Sequence, residues 1–332
     1  MDIDIGLWAA IGFMFAAYAV VGNDALQTLG TFINSNRRLP WWALFLFAAT
    51  VLVVVFAYGY ISSGGDPSFG RLSNVDKYPI FEPRWYHALP PLMLLLLTRF
   101  GIPVSTTFMV LAIFATMSGM QSMLTKSLIG YAVAFLTGGV IYVVLAPTLE
   151  RWFLKTSEQQ HAPIWVLLQW ITTGYLWAVW LMQDFANIFI FLPRGVDATG
   201  AAALNPMEAS IAVVGILVLL AYTFWNQGGP VQRILKSKTN VSDIRSATII
   251  DFTYASLLFY FKELNDIPMS TTWVFLGLIA GREFAIATLD NIRSPQATAK
   301  IVFADAGKAF VGLVISVAMG VGLPLFAERL AG

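Results

Sequence analysis

The amino-acid sequence predicts an all-α polytopic membrane protein, built as an inverted-topology repeat with two re-entrant helical hairpins and broken helices. Three observations carry this expectation. Of 332 residues, 58% are hydrophobic and 12% charged, whereas soluble proteins average roughly 45 to 50% apolar and about 25% charged. Six runs approach the roughly 20 apolar residues that a bilayer crossing needs: 5–22, 41–61, 128–147, 164–182, 208–225 and 301–326. Two further apolar stretches are each broken by a similar Pro-containing motif.

The first broken stretch runs Leu89 to Phe100, then Pro103-Val104-Ser105-Thr106-Thr107, then Phe108 to Met117. The second runs Ile249 to Phe261, then Pro268-Met269-Ser270-Thr271-Thr272, then Trp273 to Ala280. Their arms are too short to cross alone, so each reads as a hairpin with its tip at membrane depth. Asn23-Asp24 ends one long apolar run and Gln183-Asp184 another. Asp24 to Ser105 spans 81 residues (105 − 24), and Asp184 to Ser270 spans 86 (270 − 184). The chain is therefore two copies, 1–163 with a hairpin near 89–117, and 164–332 with a hairpin near 249–281.

Each copy contains three full crossings, and an odd number requires the second copy to be inverted. Loops at 34–40, 148–163, 226–246 and 282–300 carry eleven Lys and Arg, the opposite face carries six, and Arg99, Lys262 and Lys308 fall in apolar segments. Enrichment of basic residues in cytoplasmic loops then places both termini outside, in a multi-pass protein of the cell (inner) membrane. Met1-Asp2-Ile3-Asp4 lacks a basic n-region, so the first apolar run is expected to be retained.

Composition excludes several chemistries. Cys is absent, which removes disulfides, thiolate metal sites and Cys nucleophiles. Only His87 and His161 supply imidazole. A net charge of +1 gives no basic surface for nucleic acid. The expectation is a non-enzyme whose partners are a small ligand and the lipid bilayer, with no cofactor beyond a coupling ion.

The candidate binding residues follow from the repeat. Each Asp is preceded by an amide and followed by another at i+3, giving Asn23, Asp24 and Gln27 in one copy and Gln183, Asp184 and Asn187 in the other. Carboxylate and amide oxygens on one helical face suit sodium, with a proton as the other candidate ion. An interhelical hydrogen bond would explain one such Asp, but two at matching positions favour binding. Ser105, Thr106, Thr107, Ser270, Thr271 and Thr272 open half-helices, whose free N–H groups, hydroxyls and positive dipole end suit an anion. Capping of a kinked helix is the plainer reading of one tip, and duplication favours the anion. Arg99 and Lys262 near the tips read as snorkelling or paired cations, and Asp251, with Tyr86 at the matching position of the first copy, as structural.

Over nearly its whole length the sequence resembles the inorganic phosphate transporter (PiT) family of sodium-phosphate symporters and related sulfate permeases. The resemblance rests on Gly22-Asn23-Asp24-Ala25-Leu26-Gln27 and Gln183-Asp184-Phe185-Ala186-Asn187, and on the tips Pro103-Val104-Ser105-Thr106-Thr107 and Pro268-Met269-Ser270-Thr271-Thr272. It implies a secondary transporter, homodimeric, holding sodium at Asn23, Asp24, Gln183 and Asp184. The oxyanion would lie against both tips with Gln27 and Asn187. Gln27 and Gln183 stand where the family has Asn, and Phe108 and Trp273 where it often has His. The substrate is phosphate or sulfate. At neutral pH phosphate keeps a proton that a carboxylate can accept, and sulfate does not, so two aspartates favour phosphate. Two other classes remain: an anion channel, and an intramembrane aspartyl protease, which would need a Gly-x-Gly-Asp that neither Asp has.

Overall fold

In a computed structural model of the chain, the described residues are 5–36, 38–99, 104–145, 149, 151–156, 162–196, 202–226, 243–264, 270–289 and 295–331. Six helices are long and apolar enough to cross a membrane: Leu7–Gly30, Trp41–Ser62, Met117–Val144, Pro163–Phe189, Pro206–Trp225 and Gln296–Leu330. They correspond to the six apolar runs. The protein is a helical membrane-type bundle, as the sequence predicts.

The first crossing consists of α1 (Leu7–Ala19), a π-turn over Val20–Asp24 and α2 (Ala25–Ser35). The expectation that this helix ends at Asp24 is corrected, because no Pro follows to stop it and the backbone continues for eleven more residues. The same correction holds for Asp184, which lies inside the helix Pro163–Phe189. The remaining elements are α3 (Trp41–Ser62), α4 (Leu89–Arg99), α5 (Thr106–Leu111), α6 (Met117–Leu145), α7 (Arg151–Lys155), α8 (Pro163–Phe189), α9 (Pro206–Trp225), α10 (Ile244–Leu264), α11 (Thr271–Leu289) and α12 (Pro295–Ala331). Helix starts follow local chemistry: Pro163 and Pro206 occupy first-turn positions, and Asn205 caps α9 by accepting from Met207 N at 2.9 Å.

The first hairpin, α4 and α5, has the short arms expected. The second does not, since α10 has 21 residues and α11 has 19, each about 30 Å at 1.5 Å per residue. Polar residues shorten the apolar run there without stopping the helix. Arg245 and Asp251 are buried against neighbouring helices rather than exposed to lipid.

The packing is reciprocal. α4 lies on α1 and α10 on α8, so each hairpin enters along the first helix of its own half. α5 lies on α12 and α11 on α6, so each hairpin returns along the last helix of the other half. The α6–α11 seam is made of small residues: a β-carbon at Gly277 or Gly281 would overlap the backbone carbonyl of Tyr131 or Phe135, and one at Gly138 that of Leu278.

Loops gather at two ends. At one, Arg245 donates to Phe153 O at 2.6 Å and Thr156 Oγ1 at 2.8 Å, joining the start of α10 to α7. At the other, residues 63–84 form a cap in which Asp66 accepts from Ser68 N, Ser68 Oγ, Leu72 N and Ser73 Oγ. Positive φ at Gly64, Gly65, Phe69 and Gly70 turns this cap back on itself. It docks on a short antiparallel ribbon, β1 (Arg194–Val196) with β2 (Ala202–Leu204), through Leu204 N to Gly65 O at 3.0 Å. The sequence reading did not anticipate this ribbon.

Candidate functional site

α8 carries the second signature into the interior, where Gln183, Asp184 and Asn187 are buried, Asp184 at 1% exposure. Asn187 Nδ2 donates to Asp184 Oδ1 at 2.8 Å, the i+3 contact that the sequence spacing implies. The same amide reaches Thr107 Oγ1 at 3.4 Å, joining α8 to the first tip. Gln183 Nε2 reaches Leu258 O on α10 at 3.5 Å.

The two tips are built alike. Ser105 Oγ accepts from Phe108 N at 3.2 Å, and Ser270 Oγ accepts from Trp273 N at 3.1 Å, so each Ser caps its helix three residues on. Capping commits the Ser oxygens to their own helices and leaves the hydroxyl hydrogens. The tips meet through Phe108 and Trp273, whose ring centroids lie 6.1 Å apart. All six Ser and Thr of the two tips are buried. Pro103, Pro268 and Met269 lie outside the described residues.

Several polar atoms here are buried without a hydrogen-bond partner among the described residues. On α8 these are Gln183 Oε1, Asn187 Oδ1 and Trp180 Nε1, and at the second tip they are Thr272 Oγ1 and Trp273 Nε1. Buried polar atoms are nearly always satisfied in folded proteins. The two amide oxygens belong to Gln183 and Asn187, either side of Asp184 along α8, while the start of α11 offers donors. The first set fits a hard cation, whose ligands are oxygens. The second fits an oxyanion at a helix N-terminus.

Asn23 and Asp24 lie in the π-turn, and their side chains lie outside what the structure describes. Gln27 follows on α2, half-buried. Both the π-turn and α2 pack on α8, the helix that carries the second signature. π-turns inside helices occur frequently at functional sites. The side chains of Arg99 and Lys262 are also outside the described set.

Sequence reasoning missed several participants. Ser127 Oγ on α6 accepts from Ser270 N at 2.9 Å, and Tyr254 OH donates to Thr271 O at 3.1 Å, so α6 and α10 both fix the second tip. Lys126 lies buried inside α6. Asp251 accepts from Thr173 Oγ1 at 2.9 Å, a bond between α10 and α8. Nothing local in the sequence marks these pairings. Among the described residues, no three carboxylates or imidazoles gather into a metal cluster.

No protein-family profile and no curated protein matches the chain. Among solved structures, one described as "The sodium-dependent phosphate transporter" matches 96% of this chain and 98% of its own, with 15% identity and a TM-score of 0.54. This chain has the phosphate-transporter fold. At this identity the likeness is one of architecture, and the phosphate-transporter fold here holds the buried oxygens of α8 against the paired tips.

Proposed function

We propose that the chain is a secondary active transporter that imports an inorganic oxyanion, phosphate in preference to sulfate, by sodium symport with alternating access. It would act in the cell membrane with both termini outside. The observation that carries this reading is the segregation of buried, unmatched groups: amide oxygens beside Asp184 on α8, and donors at the start of α11. Sodium would lie with Asp184, Gln183 and Asn187, and with Asn23 and Asp24 of the first signature. The oxyanion would lie against Ser105, Thr106, Thr107, Ser270, Thr271 and Thr272, with Gln27 and Asn187 at its border, Asn187 already reaching Thr107 Oγ1 at 3.4 Å. Adjacent cation and anion stabilise each other in a low-dielectric site, which couples their binding. The reciprocal packing of the hairpins supports alternating access, because moving one half against the other opens a shared site to either face. The structure matched above is described as a sodium-dependent phosphate transporter, which supports the same ion and substrate.

Thr272→Val and Thr106→Val test the anion half of the proposal. Both conserve volume and delete a hydroxyl. Because Thr272 Oγ1 has no partner among the described residues, its loss is expected to leave the melting temperature unchanged. A lost hydrogen bond to a charged ligand costs about 1.5 to 3 kcal/mol, or roughly one to two decades in phosphate affinity. Wild-type affinity in both variants would mean that the tips are helix caps and that the anion binds elsewhere.

A further inference from the structure

α8 carries one buried group that a sodium site cannot use. Trp180 is fully buried, and its indole Nε1 has no hydrogen-bond partner among the described residues. Trp177, stacked on it with ring centroids 5.1 Å apart, donates its own indole N–H to Ala48 O of α3 at 2.9 Å. Trp180 is the member of the pair without an acceptor. An indole N–H is a donor only, so it cannot ligate a cation, and a buried donor left unpaired is costly. An anion answers it.

Three hydrogen bonds show where this donor lies. Thr173 Oγ1 of α8 donates to Asp251 of α10 at 2.9 Å, and Gln183 Nε2 of α8 reaches Leu258 O of α10 at 3.5 Å. Trp180 stands between these two ties. It follows Thr173 by seven residues (180 − 173), which at about 100° per residue falls about 20° short of two full turns, so its side chain leaves α8 on the side that meets α10. On α10, between the same ties, Tyr254 OH donates to Thr271 O of the second tip at 3.1 Å. Trp180 and the second tip therefore meet α10 at the same depth. The tip brings two more buried groups without a partner among the described residues, Thr272 Oγ1 and Trp273 Nε1. It also brings the N-terminus of the 19-residue α11, whose dipole favours negative charge.

We propose that the Trp180 indole N–H is a donor to the transported oxyanion, which is held between α8 and the second tip by Trp180 Nε1, Thr272 Oγ1 and Trp273 Nε1. The contact rests on the reading of the chain as an oxyanion transporter, and it adds a residue that lies outside both signatures and both tips. Asp184 follows Trp180 by four residues on the same helical face, about 6 Å of rise. One face of α8 thus holds the anion a turn away from the carboxylate that would hold sodium, and their attraction at that spacing makes each bind better with the other. A donor reads oxygen atoms alone, so Trp180 serves phosphate and sulfate alike.

The test uses purified protein in detergent with nitrogen-15-labelled Trp, and follows the indole N–H signals by NMR as phosphate is added at saturating sodium. The Trp180 signal, assigned by its loss in Trp180→Phe, should move downfield as the anion binds. A second variant carries 3-benzothienylalanine in place of Trp180. Sulfur there replaces the N–H and the ring keeps its shape, so the melting temperature should hold while the Kd for labelled phosphate rises roughly tenfold or more. The Kd for sulfate should rise by a similar factor. The same variant assigns the signal if Trp180→Phe does not fold. A Trp180 signal that stays fixed while labelled phosphate binds, or a wild-type Kd in the benzothienylalanine protein, overturns the contact and leaves the transport reading standing. A wild-type protein that binds neither phosphate nor sulfate overturns that reading, and the contact with it.

Discussion

Asp184→Asn is expected to shift the sodium response of uptake to much higher sodium concentration while leaving a folded protein. The side chain is 1% exposed on α8 and accepts from Asn187 Nδ2 at 2.8 Å. An amide at this position keeps one oxygen for that bond, so the helix and its contact with Thr107 survive. What disappears is the negative charge, which a sodium ion needs when Gln183 and Asn187 supply only neutral oxygens. Losing a charged partner costs about 1.5 to 3 kcal/mol, or roughly one to two decades in sodium affinity. The check is the sodium concentration at half-maximal phosphate uptake, with the melting temperature as a control. Asp24→Asn should act in the same direction. An unchanged sodium response in both variants would remove these carboxylates from the coupling mechanism.

Gly281→Leu is expected to have the largest effect on stability. A β-carbon there would overlap Phe135 O and crowd Gly139 N, both backbone atoms that no rotamer change can move. Overpacking ordinarily costs about 1 to 3 kcal/mol, and a backbone collision belongs at or above the top of that range. The consequence reaches the site, because α6 also holds the second tip through Ser127 Oγ and Ser270 N at 2.9 Å. Separating α11 from α6 would therefore displace Ser270, Thr271 and Thr272 together. Yield of monodisperse protein and melting temperature measure the effect, and Gly281→Ala should fall between wild type and Gly281→Leu. Normal stability in the Leu variant would show that the seam is not close-packed.

The parts of the fold legible in the sequence were those written in local chemistry. Six crossings followed from uninterrupted apolar runs, and α5 from a Pro motif whose residues also cap the helix. The signature spacing placed Asp184 and Asn187 on one helical face, where they are hydrogen-bonded. The illegible parts depend on distant partners. α10 and α11 extend past the apolar stretches 249–261 and 273–280 because charged residues such as Arg245 and Arg282 end the hydropathic run without ending the helix. Such residues are tolerated where another helix meets them, as Thr173 meets Asp251. The π-turn at Val20–Asp24 left no compositional mark. Nothing in the sequence links Arg71 to α8, since only the folded cap brings it to Met182. Phe108 and Trp273, at positions where the resembled family often has His, turned out to be the contact between the tips.

The central claim is that this fold couples sodium to an oxyanion. Purified protein in sealed proteoliposomes, given labelled phosphate or labelled sulfate with and without an inward sodium gradient, tests it most directly. The account predicts phosphate accumulation above equilibrium only with the gradient, weaker or no accumulation of sulfate, and collapse of the phosphate signal when a sodium ionophore is added. Uptake that merely equilibrates and ignores sodium would contradict it and indicate a channel.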